Sequence, residues 1–246
     1  MDGPRIPLLM TRPRGAAERF VAQLPDSVQD RIAPVWSPLI RITACADEPG
    51  LGDARGVIFS SANGVDIVSG LTARRDLPAC CVGEATAQAA RVSGWRVVRV
   101  APTADDLVRA LLRDPPDGPL VHLRGMHARG QIAERLADAG HPAWSREIYD
   151  QQLQPLTKAA QTVLAGTAPV IAPLFSPRTA RQFVDSVAPG APLYLAALSP
   201  AVAEPLSGLD FRALEVAVRP DAAAMTDAVE ALVNRVWRVE GGRDAQ

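Results

Sequence analysis

Short apolar runs alternate with amphipathic segments along the 246 residues of the chain. The runs are bounded by Gly, Pro or Ser, and the segments repeat apolar residues at helical spacing, so they predict strands alternating with helices. We predict strands near residues 7–11, 57–60, 79–82, 97–100, 120–124, 171–175, 193–197 and 214–218. We predict helices near 14–24, 62–71, 85–93, 104–113, 130–139, 157–165, 178–186, 200–206 and 222–237. This order is typical of an α/β fold with parallel sheets covered by helices.

One pattern occurs twice in the chain. VIFSSANGVDIV at residues 57–68 resembles APLFSPRTARQFV at residues 172–184, and the alignment pairs Ser60 with Ser176 at an offset of 116. The same offset relates AERF at residue 17 to AERL at residue 133. A repeat of this length indicates a duplicated half-protein, because solenoid repeats are several times shorter. We therefore predict two doubly wound parallel-sheet domains related by internal duplication.

A second repeat indicates where the two domains connect. WSPLI at residue 36 recurs as WSREI at residue 144, an offset of 108, and both copies continue as extended segments. We interpret these segments as a two-stranded linker, near residues 38–41 and 146–151, with a substrate cleft between the domains. The first domain is then discontinuous. The predicted boundaries are residues 1–37 with 152–246 for one domain and residues 42–148 for the other.

Composition and charge limit the possible partners. Hydrophobic residues make up 48% and charged residues 22% of the chain, which is typical of a folded globular protein. A net charge of −1 and an aromatic content of 4% do not favour nucleic-acid binding. The first apolar stretch is too short for a signal peptide, and no other window approaches the length of a membrane span. We expect a cytoplasmic monomer that binds neither nucleic acid nor a membrane.

The sequence presents no recognisable metal or cofactor motif. Cys45, Cys80 and Cys81 have no metal-ligand spacing, and the adjacent pair lies in an apolar run. The three histidines are scattered, and His122 alternates with strand residues, so we expect it at the surface or behind a site. Neither a nucleotide-binding glycine motif nor a serine nucleophile elbow is present. We predict a protein without a metal or a cofactor.

The turns that follow the strands are rich in small, hydroxylated and basic residues. In a parallel sheet these turns meet at one edge, where helix N-termini offer unpaired N–H groups and partial positive charge. Amides and hydroxyls bind carboxylates by hydrogen bonds, and arginine adds bidentate pairing. The candidates for binding a small polycarboxylate are Arg12, Arg14, Ser60, Ser61, Asn63, Gly83, Arg124, Gly125, Arg129, Ser176, Arg178 and Ser199.

The same residues also suit structural roles. Ser176-Pro177 and Ser199-Pro200 are typical of an N-cap followed by proline at the first helical position. The arginines can equally be solvated helix ends. A serine at one corner therefore indicates a helix start as readily as a binding site, and the six corners together are the stronger indication of a ligand.

A series of motifs in this order resembles the uroporphyrinogen-III synthase family. The motifs, which span nearly the whole chain, are LLMTRP, VIFSSANGV, CVGEATAQAA, LVHLRGMHARGQIAERLADAG, REIYD and LFSPRTARQFV. The resemblance implies two α/β domains joined by a two-stranded ladder, with the site between them. It also implies a cofactor-free reaction in which linear hydroxymethylbilane loses its hydroxyl and closes to uroporphyrinogen III with ring D inverted.

The resemblance further implies a catalytic role for Tyr149 in REIYD, as donor to the departing hydroxyl. A ladder residue that packs its ring on a domain edge is the alternative role. Two local departures concern carboxylate binding: Ser199 stands where family members often have a glycine turn, and Asp150 stands where a basic residue is common. The alternative function is a non-catalytic two-lobed binding or regulatory protein for an anionic metabolite.

Overall fold

The computed structural model describes residues 5–128, 130–188 and 190–241. Its strands, β1 to β11 in chain order, are Ile6–Met10, Ile32–Trp36, Ile40–Ala44, Gly56–Phe59, Pro78–Val82, Arg96–Ala101, Leu120–Gly125, Ala143–Leu153, Val170–Leu174, Leu193–Ala197 and Ala213–Val216. Its α-helices, α1 to α10, are Arg14–Ala22, Asp26–Gln29, Ala62–Leu71, Glu84–Val92, Ala104–Arg113, Ile132–Asp138, Lys158–Leu164, Pro177–Ser186, Pro200–Ala203 and Ala222–Gly241.

The chain separates into two compact units. The first unit combines the segment up to Arg41 with the segment from Leu153 onward, and the second unit is Ile42–Gln152. One sheet has the order β11-β10-β9-β1-β2, and the other has the order β3-β8-β7-β4-β5-β6. In both sheets the strand pairs other than β3–β8 are parallel. The predicted α/β class with parallel sheets is confirmed, while the internal duplication stays a prediction.

The first strand joins distant parts of the chain within the first unit. Strand β1 pairs in parallel with β2, where Ile6 lies opposite Ile32. On its other side it pairs with β9, where Leu8 lies opposite Ile171. The N-terminal strand therefore lies inside the sheet, next to a strand from the second half of the sequence.

Each sheet is covered by helices on both faces. In β1, Leu8 faces a cluster that contains Phe20 of α1, whereas Leu9 faces a cluster that contains Phe183 of α8. In the second unit, residues on either side of Ile58 pack beneath α3 and α4, and Ile58 itself packs against α5 and α6. Successive strand residues point to opposite faces, so both sets must be apolar. This double burial explains why these strands appear in the sequence as unbroken apolar runs.

Two elements and one helix end differ from the prediction. Helix α2 and strand β2 were not predicted, and β2 contains Pro34, which is tolerated there because β2 is an edge strand. The predicted helix at 200–206 is α-helical only to Ala203 and continues as a 3₁₀ helix over Glu204–Gly208. Pro205 lacks the N–H that a continued α-helix requires, which accounts for the change.

The C-terminal helix α10 packs along the sheet of the first unit. Met225, Val229, Leu232 and Val236 recur at helical spacing and are buried in the same cluster as Leu8. Across the described ranges, no helix is both long enough and apolar enough to cross a membrane.

Candidate functional site

The candidate residues of the second unit lie at the carboxyl edge of its sheet. Strands β4, β5 and β7 are parallel neighbours, so their C-terminal ends meet at this edge. The candidates occupy the ends of these strands and the starts of the helices that follow: Ser60, Ser61, Asn63, Gly83, Arg124 and Gly125. The structure therefore brings these six residues to one edge of one sheet.

The candidates of the first unit lie at the corresponding edge of the other sheet. They follow β1, β9 and β10, which are also parallel neighbours. These residues are Arg12, Arg14, Ser176, Arg178 and Ser199. The predicted candidate Arg129 lies outside the described residues.

Serines at the corners begin helices, as predicted. Ser176 is the N-cap of α8, and its Oγ accepts a hydrogen bond from the Thr179 amide at 3.1 Å. Ser61 caps α3 by accepting from the Asn63 amide at 3.2 Å. Ser199 is the N-cap of α9 but makes no side-chain capping bond there. The hydroxyls of Ser61 and Ser176 therefore have structural roles.

The pairing of Ser60 with Ser176 is wrong by one residue. Strands β4 and β9 end at Phe59 and Leu174, and the helix caps that follow are Ser61 and Ser176. Ser60 therefore occupies the place that Phe175 occupies in the first unit. The alignment matched Phe59-Ser60 with Phe175-Ser176 by residue identity, whereas the helix caps show that Ser61 is the structural counterpart of Ser176.

Arg12 lies over an aromatic ring at the edge of the first unit. Its guanidinium carbon is 4.2 Å from the centroid of Phe175. Burial, and secondarily the nearby charge of Arg19, lowers the pKa of Arg12 to about 10. Within the described ranges Arg12 makes no ion pair. A half-buried cation without a carboxylate partner is favourably placed to bind an anion.

Two other candidate arginines already have carboxylate partners. Arg14 Nε lies 2.6 Å from Glu18 Oε1, and its guanidinium stacks over Trp36. Arg124 Nη2 lies 3.0 Å from Glu147 Oε1. Their charges are balanced locally, so these two residues are weaker candidates for binding an anion than Arg12.

Tyr149 is buried against two glycines. The tyrosine is 4% exposed and lies opposite Gly125, where an irregularity in the β7–β8 pairing shifts the register. A Cβ built on Gly125 would lie 2.6 Å from the ring carbon Cζ, and one on Gly64 would lie 3.6 Å from Cε1. Among the described residues, the Tyr149 hydroxyl has no hydrogen-bond partner. The ring is held by packing while its polar end is left for another partner.

Asp150, the departure next to Tyr149, faces a histidine. His127 Nε2 lies 3.4 Å from Asp150 Oδ1, and the same carboxylate oxygen accepts a hydrogen bond from the Gln151 amide at 2.6 Å. The carboxylate therefore has local partners beside the tyrosine.

His122 is buried, so a surface position for it was wrong. It is 1% exposed, and its Nε2 lies 2.8 Å from Ser60 Oγ. The strand pattern did place it on the same face as Leu120, and helices α5 and α6 cover that face. Burial, reinforced by Arg124 and opposed by Glu134, lowers the pKa of His122 to about 4. The imidazole is therefore neutral at neutral pH.

Two contacts of the site were not expected from the sequence. Phe175 was interpreted only as the end of a strand, and His122 was expected at the surface or behind a site, with no partner named. The aromatic residue directly before the Ser176 N-cap was the one available signal for the Arg12 contact. No sequence signal could have paired Ser60 with His122, because 62 residues separate them.

The described residues show no metal-binding arrangement. No group of three or more His, Cys, Asp or Glu side chains there could hold a metal ion. Cys80 and Cys81 are buried free thiols, and burial raises their pKa values to about 11 and about 12. These thiols therefore carry little thiolate at neutral pH.

Comparison with known proteins identifies the family. The family model described as Uroporphyrinogen-III synthase HemD matches residues 29–227, which is most of the chain. The chain belongs to the uroporphyrinogen-III synthase family, and the resemblance found in the sequence is confirmed. No match to a curated protein was found.

Two solved structures share the fold. Uroporphyrinogen-III synthetase from Helicobacter pylori 26695 is 15% identical, with a TM-score of 0.63, over 93% of this chain and 100% of that chain. A mutant uroporphyrinogen III synthase from Thermus thermophilus is 12% identical, with a TM-score of 0.50, over 95% of this chain and 99% of that chain. At these identities the likeness concerns the fold alone.

Gly125→Ala should destabilise the protein by displacing Tyr149. The added Cβ would lie 2.6–3.0 Å from three atoms of the phenol, and overpacking of this kind costs roughly 1–3 kcal/mol of unfolding free energy. In a Tyr149→Ala background the cost of Gly125→Ala should largely disappear, because the opposing ring is absent. Denaturant unfolding of the four proteins measures this coupling.

Gly70→Ala is the matched control for that experiment. Gly70 lies in α3 of the same unit, and a Cβ there would meet nothing within 4 Å. It should leave the unfolding free energy unchanged or raise it slightly. Equal costs of Gly125→Ala with and without Tyr149 would contradict the proposed contact.

Lowering the pH should reduce the unfolding free energy of the parent protein more than that of the His122→Gln variant. The pKa of His122 falls from an ordinary 6.5 to about 4 in the folded state, so the unfolded chain takes up the proton first as pH falls. The contribution of neutral His122 to the unfolding free energy is fully present above pH 6.5 and is lost as the pH falls toward 4. Between pH 7.5 and 4.5 the parent should lose about 2–3 kcal/mol more unfolding free energy than the variant.

The comparison between variants isolates this histidine from the carboxylates that also titrate. Arg124 and Glu134, the charged groups that act on His122, remain in both proteins. His141→Gln serves as a control that should keep most of the parental slope. Identical pH slopes for the parent and His122→Gln would show that His122 titrates normally.

Proposed function

We propose that this protein is a uroporphyrinogen-III synthase, a lyase that closes hydroxymethylbilane to uroporphyrinogen III with inversion of ring D, without a metal or an organic cofactor. The family match over residues 29–227 is the observation that carries the proposal. We further propose that the enzyme acts as a cytoplasmic monomer that binds neither nucleic acid nor a membrane.

The proposed substrate is a linear tetrapyrrole with many carboxylates, which matches the chemistry of the sheet edges. In both units, helix N-termini, hydroxyls and arginines collect at the carboxyl ends of parallel strands. Such groups stabilise anions through hydrogen bonds and through the partial positive charge of the helix ends. The proposed binding residues are Arg12, Arg14, Ser60, Ser61, Asn63, Gly83, Arg124, Gly125, Ser176, Arg178 and Ser199.

Arg12 is the strongest of the proposed carboxylate contacts. Its charge is half-buried over Phe175 and has a lowered pKa, so the folded protein holds this cation at a cost. A substrate carboxylate would offset that cost by a charge-assisted hydrogen bond. Arg14 and Arg124 would have to exchange existing carboxylate partners for the substrate.

In the proposed reaction the C–O bond of the hydroxymethyl group breaks first. The leaving oxygen takes up a proton and departs as water, the pyrrole that carried it loses its N–H proton, and the bilane becomes an electrophilic azafulvene. Ring D attacks this carbon through its substituted position to give a spiro intermediate, which fragments and closes again with ring D inverted. The protein must hold the chain so that the inverting attack is favoured, and must assist the departing oxygen.

Tyr149 is the proposed donor to the departing oxygen. The ring is fixed by its packing against Gly125 and Gly64, and its hydroxyl has no hydrogen-bond partner among the described residues. A fixed phenol with an available O–H can donate to an oxygen as negative charge develops on it. Packing and donation are compatible, since they involve opposite ends of the side chain.

The direct test is product analysis. The protein is incubated with freshly generated hydroxymethylbilane, and the porphyrinogen isomers are oxidised and separated. Uncatalysed closure yields the uninverted isomer, so the inverted isomer should appear only with active protein. If the uninverted isomer alone forms at the uncatalysed rate, the protein is not a synthase, and tight binding without turnover would favour the non-catalytic alternative.

Tyr149→Phe should lower turnover at least about tenfold, because the phenol donor is lost while ring packing is retained; general-acid assistance is typically worth roughly 10²–10⁴-fold, and water can replace part of it. The remaining product should still be largely the inverted isomer, since isomer choice depends on how the bilane is held. Steady-state kinetics with isomer analysis measure both effects.

Tyr194→Phe is the matched control. Tyr194 is the other tyrosine of the chain and is buried in the core of the first unit. It should turn over at the parental rate. Parental turnover by Tyr149→Phe would make Tyr149 structural, and a switch to the uninverted isomer would show that it controls substrate conformation instead.

Arg12→Gln should raise the KM for hydroxymethylbilane about tenfold with a smaller effect on kcat, because a hydrogen bond between charged groups is worth roughly 1.5–3 kcal/mol in binding. Arg31→Gln is the control, since Arg31 also stacks on an aromatic ring, Trp237, and bonds Asn234 within the same unit. An unchanged KM for Arg12→Gln would remove Arg12 from the binding site.

A further inference from the structure

Ser60 and His122 form a polar pair at the carboxyl edge of the second unit's sheet. Ile58 of β4 lies opposite His122 of β7, and Ser60 follows two residues later. Residues two apart along an extended segment project to the same face, so both side chains meet on the side covered by α5 and α6. The distance from Ser60 Oγ to His122 Nε2 is 2.8 Å.

The other ring nitrogen of His122 decides the direction of this hydrogen bond. Nδ1 is buried and has no hydrogen-bond partner among the described residues. A neutral imidazole carries one N–H, and placing it on Nδ1 would bury a donor without an acceptor. Placing it on Nε2 leaves only a lone pair unsatisfied, which folded proteins tolerate more often than an unpaired N–H. The geometry therefore favours Nε2–H donating to Ser60 Oγ.

This direction leaves the Ser60 hydroxyl proton free for another acceptor. A serine hydroxyl has one donor and two acceptor sites, and His122 then occupies an acceptor site. Ser61, the neighbouring serine, already accepts from the Asn63 amide as the N-cap of α3. Ser60 is partly exposed at the sheet edge, so its O–H can reach a ligand.

The neutral state of His122 is consistent with this arrangement. Burial lowers its pKa, and the nearby Arg124 adds to that effect while Glu134 opposes it. Arg124 is paired with Glu147, and Glu134 accepts a hydrogen bond from Ser145 at 2.9 Å. A neutral ring carries a single N–H, and with that N–H on Nε2 Ser60 is the acceptor toward the ring.

We propose that His122 is a positioning residue. Its Nε2–H donates a hydrogen bond to Ser60 Oγ, and this bond holds the Ser60 hydroxyl as a donor toward a carboxylate of the linear tetrapyrrole. The identity of the acceptor rests on the proposed function. The donor relay itself is a property of the protein without substrate.

The first experiment determines the tautomer. The chain has three histidines, so long-range ¹H–¹⁵N spectra of histidine-labelled protein at pH 7.5 contain few signals, and His122→Gln identifies those of His122. We expect the proton on Nε2. A proton on Nδ1 would overturn the proposal, because Ser60 would then donate to the ring. This measurement requires no activity and would stand even if the proposed function failed.

The second experiment is a double-mutant cycle in the kinetics with hydroxymethylbilane. Ser60→Ala and His122→Leu should each raise KM about tenfold with little change in kcat, since a hydrogen bond to a carboxylate is lost in both. The double variant should be no worse than Ser60→Ala, because His122 acts through Ser60. His122→Gln, whose amide can also donate, should recover most of the parental KM, and His141→Gln should match the parent.

The outcomes separate the two proposals. Additive effects in the cycle, or a parental KM for His122→Leu in a folded variant, would overturn the positioning role while leaving the synthase activity intact. If His122→Leu does not fold, a raised KM for His122→Gln that equals the effect of Ser60→Ala also overturns the donor relay. A parent protein that does not convert hydroxymethylbilane overturns the proposed function and the assignment of the acceptor together.

Discussion

Parallel pairing of strands that are buried on both faces is the constraint on which this structure depends. Because parallel neighbours run in the same direction, the helices that follow them begin at one edge of the sheet, and helix N-termini collect there. Both faces of each sheet pack against helices, so the sheet interior is largely apolar. The candidate binding residues therefore lie at the corners, where backbone amides, hydroxyls and arginines are found.

The two sheets use equivalent corners differently. After β9 the position before the N-cap is Phe175, whose ring supports the Arg12 guanidinium. After β4 the same position is Ser60, whose hydroxyl contacts a buried histidine. One corner therefore presents a cation on an apolar platform and the other a neutral hydroxyl on an imidazole. Both arrangements suit carboxylates. The first offers a positive charge, and the second offers a hydroxyl donor whose orientation is set by a hydrogen bond.

Tyr149 shows how a glycine can define the position of a buried ring. The phenol ring occupies space that is open only because Gly125 lacks a Cβ, and the shift in register between β7 and β8 places Gly125 opposite it. A buried ring with a fixed orientation loses little entropy when its hydroxyl meets a substrate atom, which is what a positioned donor requires. The proposed catalytic role and the packing thus have a common origin.

The strands and helices that were predicted correctly are those marked by local features of the sequence. Unbroken apolar runs identified buried strands such as β4 and β9, and Ser176-Pro177 identified the start of α8, because capping and burial leave marks within a few residues. Strand β2 was missed because Pro34 interrupts its apolar run. A proline is tolerated there because β2 is an edge strand. Without the strand order, that position cannot be known.

The fold class, the corners and the family were thus determined by the sequence alone, whereas the partners of the site residues were decided by tertiary structure. Arg12 meets Phe175, and Ser60 meets His122, only because β1 lies beside β9 and β4 lies beside β7. Whether a charge is paired, or a histidine is neutral, depends on burial and on neighbours from distant parts of the chain. Local sequence carries no information on those neighbours, since each contact is created by the pairing of strands that are far apart in the chain.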